Sequence, residues 1–287
     1  DNFKGVLLDA YGVFWDGSTG ALFPGARDTM ARLVSKGKIV GILSNSSVLA
    51  AREIAKLQKH GLNQGEHFHF LLTSGEVARE TLLEERLPFP TPSKKFWILG
   101  SPHPHFFSAR ALFVVTPYSE VDIPDKADFI YIDIPHINGE DQYEVACFRD
   151  VVAQVVPLKL PMVCTNTDKF AHEVNKPLPV VRQGSIAAMY EEMGGTVIYF
   201  GKPSPLAYQV AMHHFKQHGT KYAHEIVMVG DTPETDIRGA HHSGLTSALL
   251  LETGIMAHRI ANKGFESAIQ SLSTEDTPTY FVGRFSP

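Results

Sequence analysis

The sequence predicts an α/β fold: a parallel sheet flanked by helices, with a second, smaller α/β unit inserted into it. Three observations carry this. Short runs of Val, Ile and Leu each stop at a polar residue, as strands buried on both faces do. Helical periods lie between the runs and end near glycine. The alternation of strand and helix then starts afresh in the middle of the chain, after a proline-rich stretch.

Taken in order, Gly5-Val6-Leu7-Leu8 ends at Asp9, and Ile39 to Leu43 ends at Ser44-Asn45. Val197 to Phe200 ends at Gly201-Lys202, and Ile226 to Gly230 ends at Asp231. Helical periods cover Ala26 to Lys36, Val48 to Gly61, Leu206 to His218 and Glu234 to Ser243, with Gly37, Gly61 and Gly244 at their ends. In the middle, Lys95 to Gly100, Ala111 to Val115, Asp128 to Ile132 and Pro161 to Cys164 read as strands. Asn138 to Val155 and Ser185 to Gly194 read as helices. The stretch Leu87-Pro88-Phe89-Pro90-Thr91-Pro92-Ser93 is the expected crossing point. The expected division is a first unit over residues 1–79, an insert over 80–197 and a return over 198–287. Parallel sheets bind ligands beyond the carboxyl ends of their strands. The four polar run-ends are therefore expected to close one sheet edge.

Composition narrows the function classes. A chain of 287 residues can bury a core without disulfide or metal staples. Its net charge of −5 argues against a nucleic-acid partner, which needs basic patches. No apolar run approaches the roughly 20 residues of a membrane span. Two cysteines, Cys147 and Cys164, exclude a disulfide scaffold and suit a reducing compartment, so a cytoplasmic location is expected. The chain begins at Asp1 without Met, and Phe3 to Asp9 already reads as a strand rather than a signal peptide. The 14 histidines are scattered, without zinc spacing.

Four motifs can carry chemistry. Asp9, before Ala10-Tyr11-Gly12-Val13, can attack phosphorus and form an aspartyl-phosphate; an Asp there also caps turns. Asp231 and Asp236, in Gly230-Asp231-Thr232-Pro233-Glu234-Thr235-Asp236, make with Asp9 an oxygen-only site of the kind Mg²⁺ prefers, although both also suit helix caps. Lys202, in Gly201-Lys202-Pro203-Ser204-Pro205, can bind phosphate and pair with Asp9, where a lone Lys is ordinarily solvated. Ser44-Asn45-Ser46, at a helix start, can hold an anion or simply cap the helix. Four independent ordinary explanations account poorly for all four motifs ending strands.

With these residues the chain resembles the haloacid dehalogenase-like (HAD) superfamily, and within it the NagD-like or p-nitrophenyl-phosphatase-like branch. The four motifs match the superfamily's. Phe23-Pro24-Gly25-Ala26, Cys164-Thr165-Asn166-Thr167-Asp168, Gln183-Gly184-Ser185-Ile186-Ala187-Ala188, Gly201 to Pro205 and Thr253-Gly254 match the branch. The resemblance spans nearly the whole chain. It implies a Rossmann-like parallel-sheet core with an α/β cap inserted between the second and third motifs. It also implies a Mg²⁺-dependent phosphatase of small phosphate esters, often sugar phosphates or pyridoxal phosphate. In that scheme Asp9 is the nucleophile, Ser44, Asn45 and Lys202 meet the phosphate, and Asp9, Asp231, Asp236 and the Tyr11 carbonyl surround the metal. Asp168, Phe170 and His172, after Asn166, are candidates for substrate contact, and a solvated loop would read the same way. The resemblance is compatible with a homodimer through the cap.

One position departs from the pattern. Phosphatases of this family carry a second Asp two residues after the nucleophile, as general acid and base; here Tyr11 stands there. A neutral Tyr, with a pKa of about 10, is a poor base at pH 7. Asp9-Ala10-Tyr11-Gly12 also resembles the first motif of the 2-haloacid dehalogenases, in which Asp attacks carbon without a metal. Two alternatives therefore stand beside the phosphatase: a dehalogenase-type hydrolase, and a phospho-ligand binder that has lost turnover.

Overall fold

The computed structural model describes residues 3–100, 110–171, 176 and 178–286. Two compact units emerge: one over Asp1–Ser44, Ala50–Leu72 and Lys202–Pro287, the other over Asn45–Leu49 and Thr73–Gly201.

The first unit is built on a six-stranded sheet. Its spatial order is Phe70–Thr73, Ile39–Ser44, Gly5–Leu8, Ile226–Gly230, Thr246–Leu250 and Tyr280–Val282. Gly5–Leu8 pairs in parallel with Ile39–Ser44 on one side and Ile226–Gly230 on the other. The chain thus leaves its first strand in one direction and returns on the opposite side. Such a switch point opens a crevice at the carboxyl ends of the strands, and Asp9 stands there. Leu7, Leu8, Val40, Ile42, Ile226 and Met228 are all buried. Burial of each such side chain contributes about 1.5–3 kcal/mol, which explains why these runs are almost purely apolar. The flanking helices include Ala26–Ser35, Ala50–Lys59, Pro205–Gln217 and Gly254–Lys263. Gly37, Gly61 and Gly244 follow helices at positive φ, as their placement in the sequence predicts.

The second unit has a five-stranded parallel sheet in the order Val197–Tyr199, Met162–Cys164, Phe129–Ile132, Lys95–Leu99 and Ser119–Glu120. Phe96 stacks on Phe113 at 3.6 Å, and the Phe113 ring meets Tyr131 edge-on at 5.2 Å. Helices Arg149–Val155 and Gln183–Glu192 cover the other part of its core.

Three expectations are corrected. Val197–Tyr199 pairs with Met162–Cys164, so the run preceding Lys202 belongs to the second unit's sheet and not to the sheet that carries Asp9. Its residues are only half-buried, as befits an edge strand. Ala111 to Val115 is not a strand: Arg110–Phe113 is a helical turn, with Leu112 and Phe113 buried and Val114 and Val115 exposed. A short apolar run does not distinguish the two, and alternation of burial is absent here. Asn138 to Val155 does not form one helix. Asn138 and Gly139, both at positive φ, turn a hairpin between His136–Ile137 and Glu140–Asp141, and the helix begins only at Arg149. Asn-Gly is a strong signal for this turn and outweighs helical periodicity. Among the described residues no helix is long and apolar enough to cross a membrane.

Candidate active site

Strand register fixes the first three positions. Leu8 is level with Ile42 on one side and with Val229 on the other. Ser44 and Asp231 therefore each lie one residue further along their strands than Asp9 does along its own. The Asp9 amide continues the ladder by donating to the Val229 carbonyl at 3.0 Å.

Two glycines let the carboxylates approach. Gly12 has φ 78°, and a Cβ there would lie 2.4 Å from Asp231 Oδ2. A Cβ at Gly254, with φ 63°, would lie 1.9 Å from the same oxygen. Both positions demand glycine for conformation as well as space. Asp231 Oδ2 accepts from the Ile255 amide at 2.6 Å, at the start of helix Gly254–Lys263. Asp236 sits in the wide π-helical turn Pro233–Ile237, where Oδ2 accepts from the amides of Asp231 and Thr232, both at 3.1 Å. Below it the buried Tyr208 hydroxyl donates to the carbonyls of Thr235 and Asp236, at 3.2 and 3.0 Å.

Lys202 connects the acids. Its Nζ donates to Asp9 Oδ1 at 2.5 Å and lies 2.8 Å from Asp236 Oδ1. The side chain is 1% exposed. Burial favours the neutral amine, but attraction to Asp236 and Asp9 outweighs it and holds Lys202 protonated well above the ordinary lysine range. Ligand oxygens of Asp9, Asp231 and Asp236 lie within 4.8 Å of one another. Burial, then repulsion from Asp236 and Asp9, pushes the Asp231 carboxyl far above its usual value. Three close acids with one buried ammonium suit a bound hard cation: the donors are all oxygen, and the charge is not balanced without one.

The other predicted residues divide by unit. Ser44 is buried at the end of its strand in the first unit. Tyr11 is 41% exposed, and its hydroxyl accepts from Lys56 Nζ at 2.9 Å. That ammonium also lies over the Tyr11 and Trp15 rings, at 4.8 and 4.2 Å from their centroids. In the second unit Asn45 Nδ2 donates to Thr167 Oγ1 at 2.8 Å and to Asp168 Oδ1 at 3.1 Å. Phe170 is exposed on a two-stranded ribbon against Val181. His172 lies outside the described residues. Sequence reasoning missed Lys56, which sits on an ordinary amphipathic helix and carries no motif. It also missed the Ile255 amide, although the adjacent Thr253-Gly254 pair marks the place.

Residues 6–107 match the family model described as haloacid dehalogenase-like hydrolase, and residues 199–283 match a second, HAD-hydrolase-like model. The chain belongs to the haloacid dehalogenase-like superfamily. The two matches include Asp9, Ser44, Lys202, Asp231 and Asp236. This HAD chain is 29% identical to chronophin of Rattus norvegicus over 97% of its own length and 84% of the relative's. It is 26% identical to phosphoglycolate phosphatase 2 of Arabidopsis thaliana, over 100% and 92% of the two chains. A haloacid dehalogenase-like hydrolase from Brucella suis superposes with a TM-score of 0.77 at 19% identity, over 98% of this chain and 95% of that one.

Proposed function

We propose that the chain hydrolyses small phosphate esters, sugar phosphates among them, using Asp9 as nucleophile and Mg²⁺ held by Asp9, Asp231, Asp236 and the Tyr11 carbonyl. The observation that carries this reading is the cluster of three carboxylates within 4.8 Å, joined by a buried Lys202. The name of the Arabidopsis relative, a phosphatase, points to the same substrate class. Attack on carbon needs no such cluster of acids, so the cluster favours phosphorus over carbon.

A bound Mg²⁺ supplies positive charge against the phosphoryl oxygens. The chain's own groups do the rest. Lys202 aims one oxygen of Asp9 and offsets the charge of the incoming phosphate, with the Ser44 hydroxyl and Asn45 as further contacts. Asp9 attacks phosphorus, and the bond from phosphorus to the leaving oxygen breaks. Water then attacks phosphorus and frees Asp9. Tyr11 supplies a phenol where the family has a carboxylate, so the acid–base contribution of about 10²–10⁴-fold is reduced. Aryl esters, which need little protonation on leaving, are therefore the better substrates. The second unit, expected at 80–197, acts as the cap that selects the alcohol part of the ester. A reducing, cytoplasmic setting suits the two cysteines.

The test is release of 4-nitrophenol from 4-nitrophenyl phosphate with and without Mg²⁺. Metal-dependent release supports the reading. Halide release from a 2-haloacid without metal, and no release of nitrophenol, contradicts it.

A further inference from the structure

Helix Gly254–Lys263 meets the loop of acids at two levels. At its first turn Thr253 occupies the N-cap position, but its side chain caps nothing. The amides that a capping hydroxyl would take, those of Ile255 and Met256, donate instead to Asp231, to Oδ2 at 2.6 Å and to the carbonyl at 3.1 Å. Asp231 is therefore the cap. Further down the helix, Arg259 donates through both terminal nitrogens to the two carboxylate oxygens of Glu234, at 2.7 and 2.6 Å. Ile255 and Arg259 are one helical turn apart and share a face.

Glu234 belongs to the π-helical turn Pro233–Ile237, which carries Asp236. Within the loop, Asp236 Oδ2 accepts from the Asp231 and Thr232 amides, both at 3.1 Å. One helix thus holds both parts of the loop: Asp231 through backbone amides, and the turn of Asp236 through the Arg259 guanidinium. A bidentate pair fixes direction as well as distance, which a single ammonium does not. Arg238, in the helix that follows the turn, does not compete for Glu234, because it is bidentate to Asp276 at 2.9 and 2.8 Å. Arg259 and Glu234 are both partly exposed, so the pair adds little to global stability. Its effect is local.

We propose that Arg259 is a positioning residue for the metal site: its clamp on Glu234 sets the spacing of Asp231 and Asp236, and so the affinity for Mg²⁺. The inference rests on the metal reading above and deepens it. Charge alone gives the opposite sign. Arg259 is a cation bound to the turn that carries Asp236, so its field opposes a second cation, and its removal leaves Glu234 as an added negative charge. By charge alone Arg259→Gln binds Mg²⁺ more tightly than wild type. By position it binds more weakly.

The experiment titrates Mg²⁺ into wild type, Arg259→Gln and Arg259→Lys at neutral pH and takes Kd from the rise in Tm. The expected result is binding weaker by about 3-fold or more in Arg259→Gln, within what one exposed ion pair can deliver. Arg259→Lys keeps the charge and loses the fork, and should fall between the two. Without metal, both variants should melt within about 4 °C of wild type. Unchanged or tighter binding in Arg259→Gln overturns the proposal, even where its Tm without metal falls. Should Arg259→Gln not fold, Arg259→Lys carries the test, and wild-type affinity in it overturns the proposal. If Mg²⁺ does not stabilise wild type, the metal reading fails separately. The clamp is then judged by amide hydrogen exchange without metal. Exchange faster by about 3-fold or more at Asp231, Thr232 and Ile255 in Arg259→Gln, with the amides of Gly5–Leu8 unchanged, supports it. Equal exchange in variant and wild type overturns it.

Discussion

The ammonium of Lys202 lies 2.5 Å from Asp9 Oδ1. The pair joins the third sequence motif to the first, 193 residues away, and its second arm reaches Asp236 at 2.8 Å. Removing the ammonium leaves buried carboxylates uncompensated. Lys202→Met is expected to cost about 3–5 kcal/mol in denaturant unfolding without divalent metal. It should also lower kcat/KM for 4-nitrophenyl phosphate by about 10²–10³-fold. Unchanged stability would mean that the two ion pairs contribute nothing.

The acid cluster should reward a divalent cation. At Mg²⁺ concentrations about 100 times Kd, stability rises by about 2.7 kcal/mol, read as an upward shift in Tm. The shift should disappear in Asp231→Asn and after chelation. A Tm indifferent to Mg²⁺ in wild type would speak against the metal assignment.

Gly254 tests how closely Asp231 is held. A Cβ at Gly254 overlaps Asp231 Oδ2, and φ 63° already disfavours other residues. Gly254→Ala is expected to displace the carboxylate by about 1 Å and lower activity by about 10²-fold, with the fold retained by circular dichroism. Activity near wild type would show that Asp231 does not need its present position.

Tyr11 is the departure on which rate depends. Tyr11→Asp restores the carboxylate of the family pattern and frees the phenol's contact with Lys56. Hydrolysis of 4-nitrophenyl phosphate with Mg²⁺ should rise by at least ~10-fold, with a larger gain on alkyl esters. No gain, with alkyl phosphates already hydrolysed well by wild type, would show that another group supplies the proton.

Acid stability should depend on Asp276. Burial raises its pKa, but hydrogen bonds from Arg238 and Ser273 outweigh this and hold it below 3.8. The Arg238 pair is bidentate, at 2.9 and 2.8 Å. A depressed folded-state pKa gives stability that is full above 3.8 and is lost as pH falls through the folded value. Asp276→Asn should therefore destabilise the protein near neutral pH by about 1–3 kcal/mol and flatten the acid limb below pH 4. An unchanged acid limb would contradict this.

Much of the site is legible in the sequence because parallel strands bury both faces. Gly5–Leu8, residues 39–43 and Ile226–Gly230 are apolar throughout, and the polar residue that ends each run marks the sheet edge. Ownership of a strand is less legible. Val197–Tyr199 looks like the others, and only its pairing with Met162–Cys164 places it in the second unit. Lys202 still reaches Asp9 from the following loop. The Arg110–Phe113 turn and the Asn138-Gly139 hairpin depart from the sequence pattern for different reasons. In the first, five apolar residues fit two periods; in the second, turn chemistry outweighs the longer pattern. Contacts made through single side chains, such as Lys56 on Tyr11 or Gln183 on Ser47, leave no periodic signal at all.

The central claim is that Asp9 is the covalent nucleophile of a phosphatase. The most direct measurement is phosphate release from 4-nitrophenyl phosphate with Mg²⁺ by wild type and Asp9→Asn, side by side, with thermal unfolding of both. The expected result is a loss of at least ~10³-fold in the variant with its cooperative unfolding kept. Turnover by Asp9→Asn within a few fold of wild type would contradict the claim.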